Sequence, residues 1–332
     1  MFELQVSTAA AYLTSRGFDP ASLSIEELAG GVSNTVLLVE SAGLRFVLKQ
    51  ALGKLRVEQD WFSDPNRIFR ESAALRWIAP HVPPGSVPEV LFEDRENGLF
   101  AMAAAPADAD TWKSLLMSGA IDAGVATGIG SLLATIVRAS WRDPECERAF
   151  GDQTIFDQLR LEPYYRTTAL RHPRLAGHFE GLIKESRARR VSLVHGDWSP
   201  KNFLVSQNGL MAIDFEVVHF GDPSFDAAFL LSHLLLKSFY RPEYAPALSV
   251  AARAFWAAFY GGLPDQAAGW MEPATLRHLS CLLLARVDGK SPAEYLETLD
   301  VKARVRSFAC GLIASPPGSI SAVLEQTGAA LA

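Results

Sequence analysis

The sequence predicts an α+β fold in two lobes: a small antiparallel sheet with one helix, then a larger, mainly helical region. Three observations carry this. Residues 24–103 hold short runs rich in Val, Leu, Ile and Phe, punctuated by Gly30-Gly31, Ala42-Gly43 and Asn97-Gly98, the pattern of strands joined by tight turns. Beyond residue 110 apolar residues recur mostly at helical spacing. Within that part, two apolar runs end in acidic or amide side chains: Leu193-Val194-His195-Gly196-Asp197, with Asn202 five positions later, and Ile213-Asp214-Phe215-Glu216. The weakly structured stretch after residue 103 is the expected boundary, giving lobes of residues 1–103 and 104–332.

Bulk properties narrow the function. A chain of 332 residues with 49% hydrophobic content suffices for one large or two ordinary cores. A formal net charge of -6 gives no basic footprint, so no nucleic-acid partner is expected. Cys146, Cys281 and Cys310 are scattered without C-x-x-C spacing. They suggest neither a zinc site nor a disulfide framework, and fit a reducing cytoplasm. The first 17 residues lack a basic segment followed by an apolar core, so no signal peptide is expected. The longest apolar run, residues 227–236, is broken by Ser232 and His233 and is too short to span a membrane. The expectation is a cytoplasmic protein without a membrane partner.

In chain order, residues 7–16 read as a short helix stopped by Gly17. Residues 25–29 read as a strand leading into Gly30-Gly31, although Ser24-Ile25-Glu26-Glu27 would equally cap a helix. Residues 35–40 and 44–50 are strand-like and flank the turn Ser41-Ala42-Gly43. The stretch Gly30-Gly31-Val32-Ser33-Asn34-Thr35 is a candidate phosphate cradle. Glycines let backbone N–H groups approach phosphate oxygens, and Ser33 and Asn34 can add donors. Lys49 ends the third strand, in Phe46-Val47-Leu48-Lys49. Residues 65–79 read as a helix started by Asp64-Pro65, and Glu71 is the one carboxylate inside it. Residues 87–93 and 99–103 form a hairpin over Asn97-Gly98. Residues 104–108 would be the hinge.

In the second lobe, residues 111–117 and 121–140 read as helices. The charged run 184–190 suits a solvated face. Residues 203–205 and 210–213 form a hairpin over Asn208-Gly209 that aims Asp214 back at the Asp197 loop. Asp222-Pro223 starts the next helix, and residues 241–332 read as helical. Gly289-Lys290-Ser291 looks like the end of a P-loop, but the leading glycine position holds Leu284. Ser291-Pro292-Ala293-Glu294 is better read as a capping box.

One carboxylate as base, with an amide and a second carboxylate as metal ligands, is the parts list of kinase-type phosphoryl transfer. Protein kinases read H-R-D-x-x-x-x-N and then D-F-G, with a lysine ending a V-A-I-K strand. Here His195-Gly196-Asp197 keeps the interval to Asn202, and Asp214-Phe215-Glu216 stands where D-F-G would. His-Gly-Asp in place of His-Arg-Asp resembles the aminoglycoside phosphotransferase and choline kinase family. Gly30–Asn34 resembles its G-G-x-S/N-x loop, and Gly221-Asp222-Pro223 with Asp226 resembles its G-D-P-x-x-D segment. Trp112-Lys113 through Gly119 looks like the W-K-x-x-L-x-x-G segment of methylthioribose kinases.

The resemblance implies a protein-kinase-like fold, with Mg²⁺ and ATP as cofactors. It also implies transfer of the γ-phosphate to a hydroxyl of a small molecule of the aminoglycoside, sugar or amino-alcohol class. On that basis Asp197 is the catalytic base. Asn202 and Asp214 hold Mg²⁺, and Glu216 lies beside the metal. Lys49, fixed by Glu71, positions the phosphates, and Ser33 and Asn34 cover them. Asp226 bonds the backbone of the catalytic loop, and Arg286 closes the acceptor site. Few residues separate Asp214 from the next helix, so no activation segment fits, and a small acceptor is expected rather than a protein. The competing expectation is a nucleotide-binding pseudokinase with a regulatory role.

Overall fold

The computed structural model describes residues 2–28, 34–52 and 64–331. An antiparallel five-stranded sheet organises the first part of the chain. It is built from β1 (Ser24–Glu27), β2 (Asn34–Ser41), β3 (Leu44–Ala51), β4 (Val90–Asp94) and β5 (Leu99–Ala103), in the order β1-β2-β3-β5-β4. Ser24 to Glu27 pair with Glu40 to Leu37, so this stretch is a strand and not a helix cap. Strands β2 and β3 turn through Ala42 at φ +47° and Gly43 at φ +83°. Two left-handed residues in a two-residue loop give the twist that a hairpin needs. Leu37, Val39, Phe46, Leu48, Leu99 and Ala101 form one face of the sheet. They pack with Ala9, Tyr12 and Leu13 of helix α1 (Val6–Ser15). Helix α2 (Arg67–Ile78) packs against β3, β4 and β5. It starts two residues later than Asp64-Pro65 suggested. Asp64 spends its side chain on Asn66 N (2.9 Å) and its carbonyl on Arg67 N, which makes a turn before the helix.

The chain divides into two compact units, Met1–Ala109 with Ser206–Val217, and Asp110–Val205 with Val218–Ala332. The second unit begins at β6 (Asp110–Thr111), which pairs with residues 204–205. Thr111 and Asp122 cap α3 (Trp112–Ser118) and α4 (Ala123–Ala139) through their side-chain oxygens. Then come α5 (Pro144–Phe150), α6 (Thr154–Phe156) and a π-helical run Asp157–Arg166 that contains Pro163. Next are α7 (Thr167–Arg171), α8 (Ala176–Ala188), β7 (Ser192–Val194) and β8 (Phe203–Ser206). Strand β9 (Gly209–Ala212) belongs to the first unit, and β10 (His219–Gly221) pairs antiparallel with β7. The last part is α9 (Ser224–Tyr240), α10 (Ala245–Gly261), α11 (Met271–Asp288), α12 (Leu299–Ala314) and α13 (Ile320–Leu331).

Helix α9 is buried from Ser224 to Phe239 and packs on α10 and α11. Helices α4 and α10 approach closely at Gly130, where a Cβ would stand 2.4 Å from the Phe255 carbonyl oxygen. Two local expectations are corrected. Residues 291–294 do not cap a helix, because α12 starts at Leu299 under the Thr298 side chain. Ser291 instead accepts from Arg286. Arg189 does not lie on a solvated face: its guanidinium reaches Asp222 (2.5 Å) and Glu185 (2.6 Å). Among the described residues no single helix is long and apolar enough to cross a membrane.

Candidate active site

Strand alternation sends Lys49 out of the sheet face opposite to Leu48, which packs in the α1 cluster. The Lys49 side chain meets α2 on that other face. Its ammonium lies 2.9 Å from Glu71 Oε1, 2.7 Å from Glu71 Oε2 and 2.6 Å from Asp214 Oδ1. Burial alone would lower the Lys49 pKa, but the carboxylates of Asp214, Glu71 and Glu216 outweigh it and raise it. Glu71 is fully buried. Burial pushes its carboxyl upward, Lys49 pulls it down, and Asp214 adds to the rise. Asp214 has φ +69°, a left-handed backbone that Asp tolerates better than most side chains. Such strain costs about 1–3 kcal/mol and gathers at functional sites.

Two residues on, Glu216 is 5% exposed. Its Oε2 accepts from Asn34 Nδ2 (2.9 Å) and Arg67 Nε (2.9 Å). Arg67 also donates to the carbonyls of Asp64 (3.1 Å) and Leu52 (3.0 Å). Asn34, at the start of β2, is therefore tied to Glu216 across the first unit. Ser33 and the rest of the glycine turn, residues 29–33, lie outside the described residues.

The second unit holds the Asp197 loop between β7 and β8. Asp226, in the first turn of α9, accepts from His195 N (2.6 Å) and Gly196 N (2.9 Å). Burial pushes its pKa up to about 7 against those two backbone donors. Gly196 stands at φ +79°, so the glycine of His-Gly-Asp answers a backbone need. Asp197 N donates to His195 Nδ1 (3.1 Å), and Asn202 Nδ2 donates to the Asp197 carbonyl (2.9 Å). The Asp197 carboxylate is buried. Its Oδ2 lies 3.1 Å from Arg160 Nη2 and 3.0 Å from Lys201 Nζ. Arg160 comes from the π-helical run and also donates to the Gly196 carbonyl. Wide turns of this kind recur at functional sites.

Arg286, on α11, is buried rather than solvated. Its Nη1 donates to Tyr164 Oη (3.2 Å) and to the carbonyl and hydroxyl (3.2 Å) of Ser291. Two residues of this geometry escaped the sequence reading. Arg67 carried a signal, since it stands four residues before Glu71 and so shares its helix face. Arg160 carried none, because a lone arginine beside a broken helix has no motif.

Each unit holds oxygen donors of the kind a hard cation takes. Asn202 Oδ1 accepts no hydrogen bond from the described residues, and the Asp214 side chain keeps 21% of its surface exposed. Among the described residues no three His, Cys, Asp or Glu side chains gather for a metal. Mg²⁺ needs no such cage: it takes one or two carboxylates and completes its shell with substrate oxygens and water.

Known proteins resemble this chain in sequence and fold. Residues 24–270 match the phosphotransferase enzyme family, a span containing every residue above except Arg286 and Ser291. Methylthioribose kinase from Escherichia coli O45:K1 (strain S88 / ExPEC) is 26% identical over 276 residues, 72% of this chain and 65% of that kinase's own length. Among solved structures, an amicoumacin kinase in complex with AMP-PNP, Ca²⁺ and Ami superposes with a TM-score of 0.59 at 15% identity, over 96% of this chain and 98% of that one. An ethanolamine kinase from Plasmodium vivax gives 0.58 at 11% identity, over 94% and 92%. A choline kinase from Cryptosporidium parvum Iowa II gives 0.57 at 12%, over 97% and 100%. At these identities the structural likeness is one of fold. The sequence match covers most of the chain, and by it the chain belongs to the phosphotransferase enzyme family.

Proposed function

We propose that this chain is an ATP-dependent phosphotransferase that moves the γ-phosphate to a hydroxyl of a small molecule. The observation that supports this most is Lys49 held between Glu71 at 2.7 Å and Asp214 at 2.6 Å. A lysine fixed by a helix glutamate positions nucleotide phosphates in kinase chemistry. Asp197 orients the acceptor hydroxyl and takes its proton. Asn202 and Asp214 supply oxygen donors for Mg²⁺, which when bound neutralises charge on the transferred group. Glu216 is the metal candidate that the geometry favours least, because its Oε2 is committed to Asn34 and Arg67. Its contribution is to hold Asn34, which with Ser33 covers the phosphates. Arg286 belongs to the acceptor site. The named relatives are kinases of methylthioribose, amicoumacin, ethanolamine and choline, which supports a small-molecule acceptor. The three cysteines are free thiols, in keeping with a cytoplasmic location.

The test is turnover. Asp197→Asn should lower phosphoryl transfer by about 10²–10⁴-fold, the span for loss of a general base, while Mg²⁺·ATP still stabilises the variant. The assay is ADP release with aminoglycosides, methylthioribose and choline-type alcohols as acceptors. Near-normal turnover in Asp197→Asn would remove this residue from the mechanism.

A further inference from the structure

We propose that the acceptor alcohol carries an anionic group, a carboxylate or a phosphate, bound by Lys237, Arg286 and Tyr295. This names the acceptor class of the phosphotransferase site and rests on that reading. The observation behind it is a set of buried donors without acceptors. Lys237 is 2% exposed, yet its ammonium makes no hydrogen bond or ion pair with the described residues. It lies over the face of the Tyr295 ring, 4.9 Å away. Tyr295 Oη and Arg286 Nε are also buried without a hydrogen-bond partner. An ammonium, a guanidinium N–H and a phenol are donors that together fit the oxygens of an anion.

Charge around these groups points the same way. Lys113, Lys201, Lys237 and Arg286 all bear on His233, and Arg160 stands beside Asp197; the carboxylates among these described residues are Asp197, Asp226 and Glu294. Asp197 is matched by Arg160 and Lys201, and Glu294 by Lys113. Lys237 and Arg286 are left without an ion-pair partner among the described residues. Burial, and then repulsion from Lys113 and Arg286, lowers the Lys237 pKa to about 7 against the pull of Glu294. His233, one turn before Lys237 on α9, is pushed well down by burial and by Lys237, Arg286, Lys201 and Lys113. Burial would raise the Tyr164 hydroxyl, but Arg286 and Arg160 outweigh it and lower it.

The cluster is continuous with the proposed base. The Arg160 guanidinium, 3.1 Å from Asp197, lies 5.8 Å from the Tyr164 ring and 5.7 Å from the Phe229 ring. Tyr164 in turn carries Arg286 at 5.7 Å, and Phe229 lies 5.2 Å from His233. An unpaired buried cation is a costly residue to keep in the core of a helical unit. An arriving anion would remove that cost. Ethanolamine and choline, the acceptors in the names of two fold relatives, are cations and would be repelled here.

The experiment uses the full chain, with two readouts. In the first, Mg²⁺·ATP-dependent ADP release is measured with glycerate, glycerol phosphate, neutral sugars and choline-type alcohols. The anionic alcohols should be preferred, with glycerate against glycerol phosphate deciding between carboxylate and phosphate. Lys237→Met should raise the KM of the anionic acceptor about 10- to 100-fold, the range for losing a hydrogen bond to a charged group. The KM for ATP should be unchanged, and Lys237→Arg should restore part of the loss. Tyr295→Phe, which keeps the ring, should raise the same KM by a smaller factor. In the second readout, inorganic phosphate should raise the melting temperature of the wild type and of the surface control Lys184→Met, but not of Lys237→Met. Preference for neutral or cationic alcohols, or an unchanged acceptor KM in Lys237→Met, would overturn the proposal while leaving the kinase reading intact. Equal phosphate shifts in wild type and Lys237→Met, or none in either, would overturn it as well. If no alcohol yields ADP and Mg²⁺·ATP gives no shift, the phosphotransferase reading fails, and the phosphate readout then decides the anion site by itself.

Discussion

Removing the Lys49 ammonium should show how far the buried glutamate beside it depends on that one charge. In Lys49→Met the Asp214 side chain, 21% exposed, can turn to water, whereas Glu71 has no exposed surface. Its carboxylate is stranded. Breaking a buried pair by removing one partner costs about 3–5 kcal/mol. At about 2–4 °C per kcal/mol, the melting temperature near pH 8 should fall by roughly 6–20 °C. Adding Glu71→Gln removes the stranded charge. The double variant should therefore be more stable than the summed losses by about 0.5–3 kcal/mol.

The same reasoning fixes a pH dependence. Burial and Asp214 already push Glu71 upward against the pull of Lys49. Without Lys49, the folded pKa stands well above the unfolded value of about 4.3. Between the two values the folded state holds a proton that the unfolded state has lost, so stability falls as pH rises. The gap between wild type and Lys49→Met should therefore widen from about pH 7, where Glu71 of the wild type gives up its proton, to about pH 9. Circular-dichroism melts of the four proteins across that range measure it. Strictly additive losses, or a gap that does not move with pH, would refute the pairing.

Two further outcomes follow from the second unit. Asp226→Asn keeps one acceptor oxygen but turns an amide NH₂ toward a backbone donor, either His195 N or Gly196 N. It should cost about 1.5–3 kcal/mol and lower turnover more than ATP affinity; a calorimetric ATP titration beside a rate measurement separates the two. For Lys237, the folded pKa of about 7 lies below the unfolded value. Across the window up to about pH 10.4 the unfolded chain holds the extra proton, so stability rises with pH, by at most about 1.4 kcal/mol per unit. Lys237→Met should lack that rise, and melts of both proteins between about pH 7 and pH 9 would show it.

Where a residue acts through its neighbours in sequence, its position was legible. Ala42-Gly43 announced a hairpin because only left-handed residues turn two strands so tightly, and both have positive φ. Lys49 and Glu71 were readable as partners because the kinase resemblance pairs a strand-end lysine with a helix glutamate, and the two lie 2.7 Å apart. Asp226 was readable through the resemblance of Gly221-Asp222-Pro223 and Asp226 to the G-D-P-x-x-D segment, which implied the bonds it makes to His195 N and Gly196 N. The capping reading of Ser291–Glu294 failed because a long-range partner, Arg286, claimed Ser291. Arg160 and Lys237 were invisible for the same kind of reason. Their meaning comes from groups distant in sequence, Asp197 for the one and Tyr295 for the other. Periodicity registers Lys237 only as an interruption in an apolar helix.

Magnesium-dependent stabilisation by ATP tests the central claim most directly. A ligand that binds only the folded state stabilises it by RT ln(1 + [L]/Kd), about 2.7 kcal/mol at a hundredfold excess over Kd. Mg²⁺·ATP should raise the melting temperature of the wild type more than ATP with a chelator does. Asp214→Ala should abolish the magnesium-dependent part, because its carboxylate is the charged oxygen donor proposed for a hard cation. Asp197→Ala should keep that part while losing turnover. If Asp214→Ala retains the full magnesium increment, or the wild type shows none, the account of this chain as a metal-assisted phosphotransferase is contradicted.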